Sequence, residues 1–414
     1  MRAAVEHRSA GPRPAAGTRR PLVVAVVLGL LAVFGPFSMN LYLPVLPGLT
    51  HDLETTTALA QLTITGCLIG LAAGQLVAGP LSDRYGRRLP LLVGVVAYVV
   101  TSLLCAAAPS IEVLLVGRLL QGVAASTGVV IALAAGRDVY SGDRLVAYYG
   151  RFTVLSGLAG AISPVFGGLL ALFTDWRGTF LALTILGAVV LLAVVLGLPE
   201  TLRPERRRLG GGRDVSVLGL LADRRFLGIV LVMGLVNGGL FAYLSGSTFI
   251  LQSTYGVGPQ AYSVLIGIIS GVYMLFGWLA GRVGTIWSTG RSLLLSVVVG
   301  LAGSAGVLAT ALLHLPLAAM MAALLVMVSG IAAATTAATS LGMAANPDAA
   351  GSASSLLGLA RYAFGAAAAP VVGLFGDARI GTTLGVLSIA VMTASLAALS
   401  LVRTRDAPPA REAR

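Results

Sequence analysis

Residues 58–108 read ALAQLTITGCLIGLAAGQLVAGPLSDRYGRRLPLLVGVVAYVVTSLLCAAA, which is two long apolar runs joined by a short charged turn. An apolar run of about 20 residues crosses a hydrocarbon core roughly 30 Å thick as one helix. Because lipid offers peptide groups no hydrogen-bond partner, each run must pair its backbone groups within that helix. The stretch therefore predicts two membrane-spanning helices, near 58–80 and 89–108.

Runs of the same kind occupy almost the whole chain of 414 residues, of which 57% are hydrophobic and 11% charged. A soluble domain carries roughly 25% charged residues, and a membrane β-barrel would show alternating strands of about 10 residues. The sequence predicts instead an all-α membrane protein with twelve transmembrane helices. The predicted spans lie near 22–47, 58–80, 89–108, 111–135, 146–173, 178–198, 225–252, 260–284, 291–313, 316–343, 350–376 and 381–403.

One long polar connection divides these spans into two sets of six. Two six-helix bundles are typical of transporters in which the substrate binds between the halves, near the midplane of the membrane. The predicted organisation is a tail (1–21), an N-terminal bundle (22–198), a central loop (199–222), a C-terminal bundle (223–403) and a second tail (404–414).

All 28 basic residues are arginines, and 24 of them lie in the tails and loops on one side of the predicted membrane. The opposite loops hold Arg177 and Arg379, while Arg118 and Arg361 lie within spans. Because cytoplasmic loops are enriched in basic residues, both tails and the central loop are predicted to be cytoplasmic, in a bacterial inner membrane. The net charge of +12 therefore indicates topology and contact with the lipid bilayer rather than nucleic-acid binding.

Residue types that often carry chemistry form no recognisable site. Cys67 and Cys105 fall in apolar runs without metal-ligand or disulfide spacing, and His51 and His314 fall in or beside outer loops. The chain has no lysine and therefore no phosphate-binding loop for direct ATP coupling. We expect no cofactor, no metal and no enzyme activity. Residues 22–47 are too long for a signal-peptide core and are interpreted as an uncleaved span.

The loop after span 2 carries the sharpest motif, GPLSDRYGRR at residues 79–88. A turn that only sets topology explains its arginines and glycines but not its acid. The motif closely resembles the signature loop of the major facilitator superfamily. The resemblance implies a conformational latch, in which the acid lies near the start of span 11, where a helix N-terminus favours a carboxylate, and the arginines pair with nearby acids. The latch residues are Gly79, Asp83, Arg84, Gly86, Arg87 and Arg88.

Span 4 contains an arginine in the sequence GRLLQG at residues 117–122. A charge within a span costs about 2.5–3.5 kcal/mol on insertion scales, so Arg118 is expected to face a cavity or a partner. The motif resembles the arginine motif of span 4 in the same superfamily, which favours a functional role. Snorkelling of the side chain to the outer interface is the alternative interpretation.

Span 5 reads GLAGAISPVFGG at residues 157–168. A proline within a span removes a backbone donor and kinks the helix, and glycines let a neighbour pack against the kink. The stretch resembles the antiporter motif of the superfamily, with a serine where glycine is usual. A structural kink without any coupling role is the alternative. The residues concerned are Gly160, Ser163, Pro164, Gly167 and Gly168.

Span 1 narrows the resemblance to one group of drug exporters. The stretch FGPFSMNLYLPVLP at residues 34–47 looks like the bicyclomycin and chloramphenicol resistance (Bcr/CflA) group, as do residues 175–177, 198–202 and 351–358. That group usually has an aspartate at the position of Asn40. Because asparagine does not titrate and no acid lies well inside a predicted span, protons would need another carrier group.

The predicted substrate cavity lies between the two bundles. Asn40 and Arg118 are expected at the same depth, about 10 Å from the outer face, so that their side chains would face each other. Arg361 lies close to the midplane of span 11, unless it pairs with a backbone carbonyl or the span boundary is misplaced. Two arginines would make the cavity electropositive and favour neutral hydrogen-bond acceptors or anions. Further candidates, for which ordinary packing is an equal alternative, are Tyr42, Gln121, Asn237, Tyr243 and Tyr362.

The sequence as a whole favours secondary-active efflux of a small drug-like molecule by alternating access. The resemblance implies a phenicol-type or other neutral or anionic antibiotic or metabolite as substrate, protons as the coupling ion, and a monomer. An energy-independent facilitator or importer of a nutrient such as a sugar is the first alternative. A membrane receptor without transport is the second.

Overall fold

Helices form all of the regular secondary structure in residues 21–140, 143–202, 217–286, 288–345, 350–376 and 379–402, which a computed structural model describes. The first half contains α1 (Pro21–Asn40), α2 (Leu46–Asp52), α3 (Thr57–Tyr85), α4 (Arg88–Ala106), α5 (Ile111–Val139), α6 (Asp143–Leu170) and α7 (Trp176–Gly197). The second half contains α8 (Val217–Ala222), α9 (Arg224–Phe249), α10 (Pro259–Ile286), α11 (Thr289–Leu312), α12 (Leu317–Ala345), α13 (Ala350–Ala368) and α14 (Ile380–Val402).

The predicted spans coincide with helices. Eleven stretches of the described chain are long and apolar enough to cross a membrane, and α6, with the shorter apolar stretch Leu155–Leu170, occupies the remaining predicted span. The prediction of an all-α membrane fold is confirmed. The predicted central loop contains the short helix α8, and Pro21, the last residue of the predicted N-terminal tail, begins α1, while residues 1–20, 203–216 and 403–414 lie outside the described residues. Below, "outer" and "cytoplasmic" name the two ends as the arginine distribution predicts them.

Polar side chains cap several helices. The hydroxyl of Thr56 accepts a hydrogen bond from the amide of Leu59 where α3 begins, and Asp223 caps α9 in the same way. At the start of α7, the carboxylate of Asp175 accepts from two backbone amides. These bonds satisfy amide groups that a helix leaves unpaired at its N-terminus.

The outer ends of three helices are joined by the two residues that follow Asp175. The Nε1 of Trp176 donates to Oδ2 of Asp52, at the end of α2, at 3.1 Å. The guanidinium of Arg177 donates to the carbonyl oxygens of Ala106 and Ala108 at 3.0 and 2.8 Å. Because a helix leaves its last carbonyls unpaired, Arg177 serves as a C-terminal cap of α4.

Glycines allow α3 and α5 to cross at close range. A Cβ added at Gly70 would meet the carbonyl oxygen of Leu119, and one added at Gly122 would meet that of Cys67. The obstacles are backbone atoms, which cannot rotate away. In lipid, where apolar side chains gain nothing by leaving the solvent, such close backbone contact holds helices together.

We expect Gly122→Leu to reduce folded protein to about a tenth or less, because the new side chain forces α3 and α5 apart. The measurement is the monodisperse peak of a fluorescent fusion on size-exclusion chromatography. Gly271→Leu in α10 is the matched control, since nothing lies within 4 Å of a Cβ there. A monodisperse Gly122→Leu protein at the wild-type level would contradict the crossing.

The two halves meet along two pairs of helices, α3 with α13 and α6 with α10. At the outer end, Nε2 of Gln61 donates to the carbonyl of Ser245 at 3.4 Å, and Nε2 of Gln252 donates to the carbonyl of Pro44 at 2.9 Å. Each bond joins a side chain of one half to the backbone of the other. The outer ends of the halves are therefore in contact.

Candidate transport site

Arg118 lies inside the N-terminal bundle rather than between the bundles. Its guanidinium donates to the carbonyl oxygens of Ser38 at 3.0 Å and Thr63 at 3.4 Å, and to Oε1 of Gln121 at 2.5 Å. Gln121 in turn donates to the hydroxyl of Ser102 at 2.7 Å. One arginine on α5 thus joins α1, α3 and, through the glutamine, α4.

Aromatic rings complete the surroundings of Arg118. Its guanidinium carbon lies 4.4 Å from the ring centre of Tyr42 and 5.6 Å from that of Phe180, and the phenol of Tyr42 is 3.0 Å from the hydroxyl of Thr63. Arg118 is 0% exposed, which excludes snorkelling. The expected contact with Asn40 also needs correction, because the amide that reaches Arg118 is that of Gln121.

Asn40 lies instead beside the glycine-rich face of α6. A Cβ at Gly160 would lie 3.9 Å from Nδ2 of Asn40, and a Cβ at Gly157 would lie 3.9 Å from the sulfur of Met274 in α10. Residues three apart share one helix face. Asn40 from the N-terminal half and Met274 from the C-terminal half therefore lie beside neighbouring turns of one face of α6. The Oδ1 of Asn40 is buried and has no hydrogen-bond partner among the described residues.

Arg361 lies on α13, which packs against α3 of the other half. Gly358, one turn before it, faces Gln75 of α3 in the other half, and Gly365, one turn after it, faces Phe241 of α9. Arg361 lies on the same helix face, is partly buried and makes no hydrogen bond or ion pair with any described residue.

One tyrosine packs beside Arg361, and a second interacts with it electrostatically. Its guanidinium lies 5.9 Å from the ring centre of Tyr362, which packs against Phe241 at 6.0 Å between ring centres. Tyr273, next to Met274 on α10, lies within electrostatic range of Arg361. The sequence reasoning missed Tyr273, because a single tyrosine in an apolar run has no motif to mark it.

The other two predicted pocket residues lie within the C-terminal half. Nδ2 of Asn237 donates to the carbonyl of Met233 at 2.9 Å and to the hydroxyl of Thr335 at 3.3 Å. Tyr243 is 2% exposed. The polar residues predicted for the cavity thus fall into three groups: the Arg118 group with Tyr42 and Gln121, the interior pair Asn237 and Tyr243, and the inter-half group Asn40, Arg361 and Tyr362.

The predicted latch forms a clamp at the cytoplasmic end of the N-terminal half. Arg87 forms ion pairs with Asp83 at 2.5 Å and with Asp138, at the end of α5, at 2.9 Å, and it donates to the hydroxyl of Ser82 at 2.7 Å. Burial alone would lower the pKa of Arg87, but the hydrogen bond and charge of Asp138, together with Asp83, raise it above its usual value. Arg87 therefore stays charged.

Glu200 closes the clamp from the segment after α7. Its carboxylate accepts from the backbone amides of Arg87 at 2.9 Å and Arg88 at 3.2 Å, where α4 begins. A carboxylate at this position is stabilised by the helix N-terminus. Gly86 has φ +91°, a conformation that other residues rarely adopt. Sequence reasoning expected acids near the arginines but did not identify Asp138 or Glu200.

Two further latch residues differ in their surroundings. The guanidinium of Arg84 lies 5.4 Å from the ring centre of Tyr85. The side chain of Asp83 is 53% exposed. Its expected partner is the start of span 11, near residue 350, and the preceding residues 346–349 lie outside the described residues.

The span 5 motif packs α6 against both halves. A Cβ at Gly167 would meet the carbonyl oxygen of Leu41 in the N-terminal half, and a Cβ at Gly168 would meet the hydroxyl of Ser263 in the C-terminal half. Ser163 is buried and donates to the carbonyl of Gly160 at 3.4 Å. The glycines therefore permit close contact at the outer seam between the halves.

The family model described as Major Facilitator Superfamily matches residues 28–370. The chain belongs to the major facilitator superfamily. It is 36% identical to the uncharacterized MFS-type transporter YdgK of Bacillus subtilis strain 168, over 93% of this chain and 96% of the relative. It is 28% identical to a bicyclomycin resistance protein homolog of Haemophilus influenzae, over 83% and 87%. It is 33% identical to a chloramphenicol resistance protein of Pseudomonas aeruginosa, over 63% and 61%.

Solved structures of this superfamily share the fold. A D-xylose–proton symporter superposes with a TM-score of 0.72 at 14% identity, covering 92% of this chain and 96% of that one. A bacterial homolog of the lysosomal transporter Spinster, inward-facing and occupied, gives 0.71 at 15% identity, covering 95% of each chain. The resemblance to the Bcr/CflA group is confirmed by the relatives, and the chain is a multi-pass membrane transporter.

Proposed function

We propose that this transporter exports small drug-like molecules from the cytoplasm by alternating access. The observation that carries the proposal is the inter-half space, where Asn40, Tyr273 and Arg361 come from both halves while the outer ends touch. A site closed on the outer side is suited to loading from the cytoplasm. The names of the bicyclomycin and chloramphenicol resistance relatives support a phenicol or another neutral or anionic antibiotic or metabolite as substrate.

The proposed energy source is the proton-motive force, with protons as the coupling ion and a monomer as the working unit. In the described helices, aspartate and glutamate occur only in the first or last turn. A carboxylate inside a span, the usual proton carrier, is thus missing from the described helices. Proton exchange in each cycle stays a prediction.

An energy-independent facilitator or importer of a small nutrient is the second candidate, and the same acid-free interior supports it. The two candidates differ in whether the substrate is concentrated. Everted membrane vesicles distinguish them, because an exporter fills the vesicle lumen against a gradient and a facilitator only equilibrates.

Energised everted vesicles containing the wild type are expected to accumulate labelled chloramphenicol at least several-fold over vesicles with an empty vector, and full uncoupling should remove the excess. Cells that lack their own pumps should become correspondingly resistant. Equilibration that is unchanged by uncoupling would favour the facilitator.

A further inference from the structure

Arg361, which is partly buried, differs from the buried Arg118 and Arg87 in having no hydrogen-bond or ion-pair partner among the described residues. Arg118 donates to three acceptors and Arg87 has two carboxylates. Arg361 forms no hydrogen bond or ion pair with any described residue, and its Nε is buried. A guanidinium carries five N–H donors in a planar fork that matches a carboxylate or phosphate. The donors of Arg361 are therefore free to bind a ligand.

The groups around Arg361 could bind the same ligand. Tyr273 and Tyr362 carry phenols. Phenols donate hydrogen bonds, and bonds from such donors to an ionised acceptor are stronger than those to a neutral one. The surroundings thus favour an acceptor with a negative charge.

Protein carboxylates do not neutralise Arg361 in the described part of the chain. Aspartate and glutamate in the described helices lie only in end turns, far from residue 361, which is eleven residues into α13. A cation in a membrane interior needs a counter-charge. An anionic substrate would supply it.

We propose that the exported species is a monovalent organic anion bound by Arg361, and that the membrane potential drives its export. The proposal rests on the export function proposed above, narrows its substrates from neutral or anionic compounds to anions, and puts the membrane potential in place of proton coupling as the driving force. Because the cytoplasm is negative, a potential of ordinary size favours an outward distribution of a monovalent anion by on the order of tenfold or more. Such export requires no titrating group in a span, which accounts for Asn40 and for the lack of carboxylates inside the described helices.

The experiment uses two pairs of compounds that differ in charge: chloramphenicol succinate with chloramphenicol, and salicylate with salicylamide. Uptake is measured in energised everted vesicles, whose lumen is positive. Valinomycin with K⁺ removes the potential, and nigericin with K⁺ removes the pH gradient. We expect the anion of at least one pair to accumulate. Valinomycin should abolish this accumulation, and nigericin should leave it unchanged.

Three variants test whether Arg361 is responsible for the anion uptake. Arg361→Gln should reduce anion uptake at least tenfold, and Arg361→Lys, which keeps the charge, should retain more than Arg361→Gln. Arg379→Gln, an exposed arginine in an outer loop, should match the wild type. Monodisperse elution verifies that each variant folds. If an Arg361 variant misfolds, the effects of the two ionophores on the wild type decide the proposal.

The outcomes separate this proposal from the export function. Uptake of the neutral members alone, abolished by nigericin, would overturn the anion proposal and leave export in place. Anion uptake unchanged in folded Arg361→Gln would overturn the role of Arg361. Absence of uptake for all four compounds in folded wild type would count against both.

Discussion

Arg118→Ala should lower the free energy of unfolding by about 3 kcal/mol or more and remove most export, because the interior of the N-terminal bundle loses its central donor. The carbonyls of Ser38 and Thr63 and the amide of Gln121 would remain buried without this partner. Each unpaired buried polar group costs about 1–3 kcal/mol. Thermal unfolding of the detergent-solubilised protein, followed by size-exclusion chromatography, measures the loss.

Arg137→Ala is the control on the same helix, since Arg137 is exposed at the end of α5 and should change stability little. Arg118→Lys should lie between alanine and wild type, because one ammonium cannot reproduce the planar fork. If Arg118→Ala were as stable as the wild type and lost only substrate binding, Arg118 would face the cavity.

The second large effect is expected for Asp138→Asn, which removes a charge from the cytoplasmic clamp. The side chains of Arg87 and Asp138 are 9% and 6% exposed, and breaking a buried ion pair by removing one partner costs about 3–5 kcal/mol. We expect at least a tenfold loss of export in vesicles with equal amounts of protein.

Arg137→Ala is also the control for the clamp, because Arg137 is exposed and lies next to Asp138. The double variant Arg87→Gln/Asp138→Asn should be less destabilised than the sum of the two single variants, since their contributions are coupled. Strict additivity would show that the two side chains act independently.

The helices could be predicted because their length and apolarity are properties of the sequence alone. The orientation of Arg118 could not, since depth along a span does not state which way a side chain points. Successive residues turn by about 100°, so Asn40 and Arg118 can share a depth while one lines the inter-half surface and the other the bundle interior. Arg361 was predicted near the midplane, and its lack of a partner needed the structure.

Part of the cytoplasmic clamp could be predicted from the sequence. A helix that begins at Arg88 leaves unpaired amides, and a nearby carboxylate is the natural partner for them. Glu200 lies 112 residues further along the chain, however, and only the packing of α7 against α4 brings it there. The crossing of α3 and α5 likewise brings Asp138 to Arg87.

Alternating access requires the outer seam between α6 and α10 to open, and a cross-link across that seam tests this requirement most directly. A Cβ at Gly267 would lie 3.1 Å from Cγ2 of Val165, which suits a disulfide between cysteines at these two positions. With Cys67 and Cys105 replaced by alanine, oxidised Val165→Cys/Gly267→Cys protein should lose export, and a reductant should restore it. Undiminished export by fully cross-linked protein would contradict the mechanism.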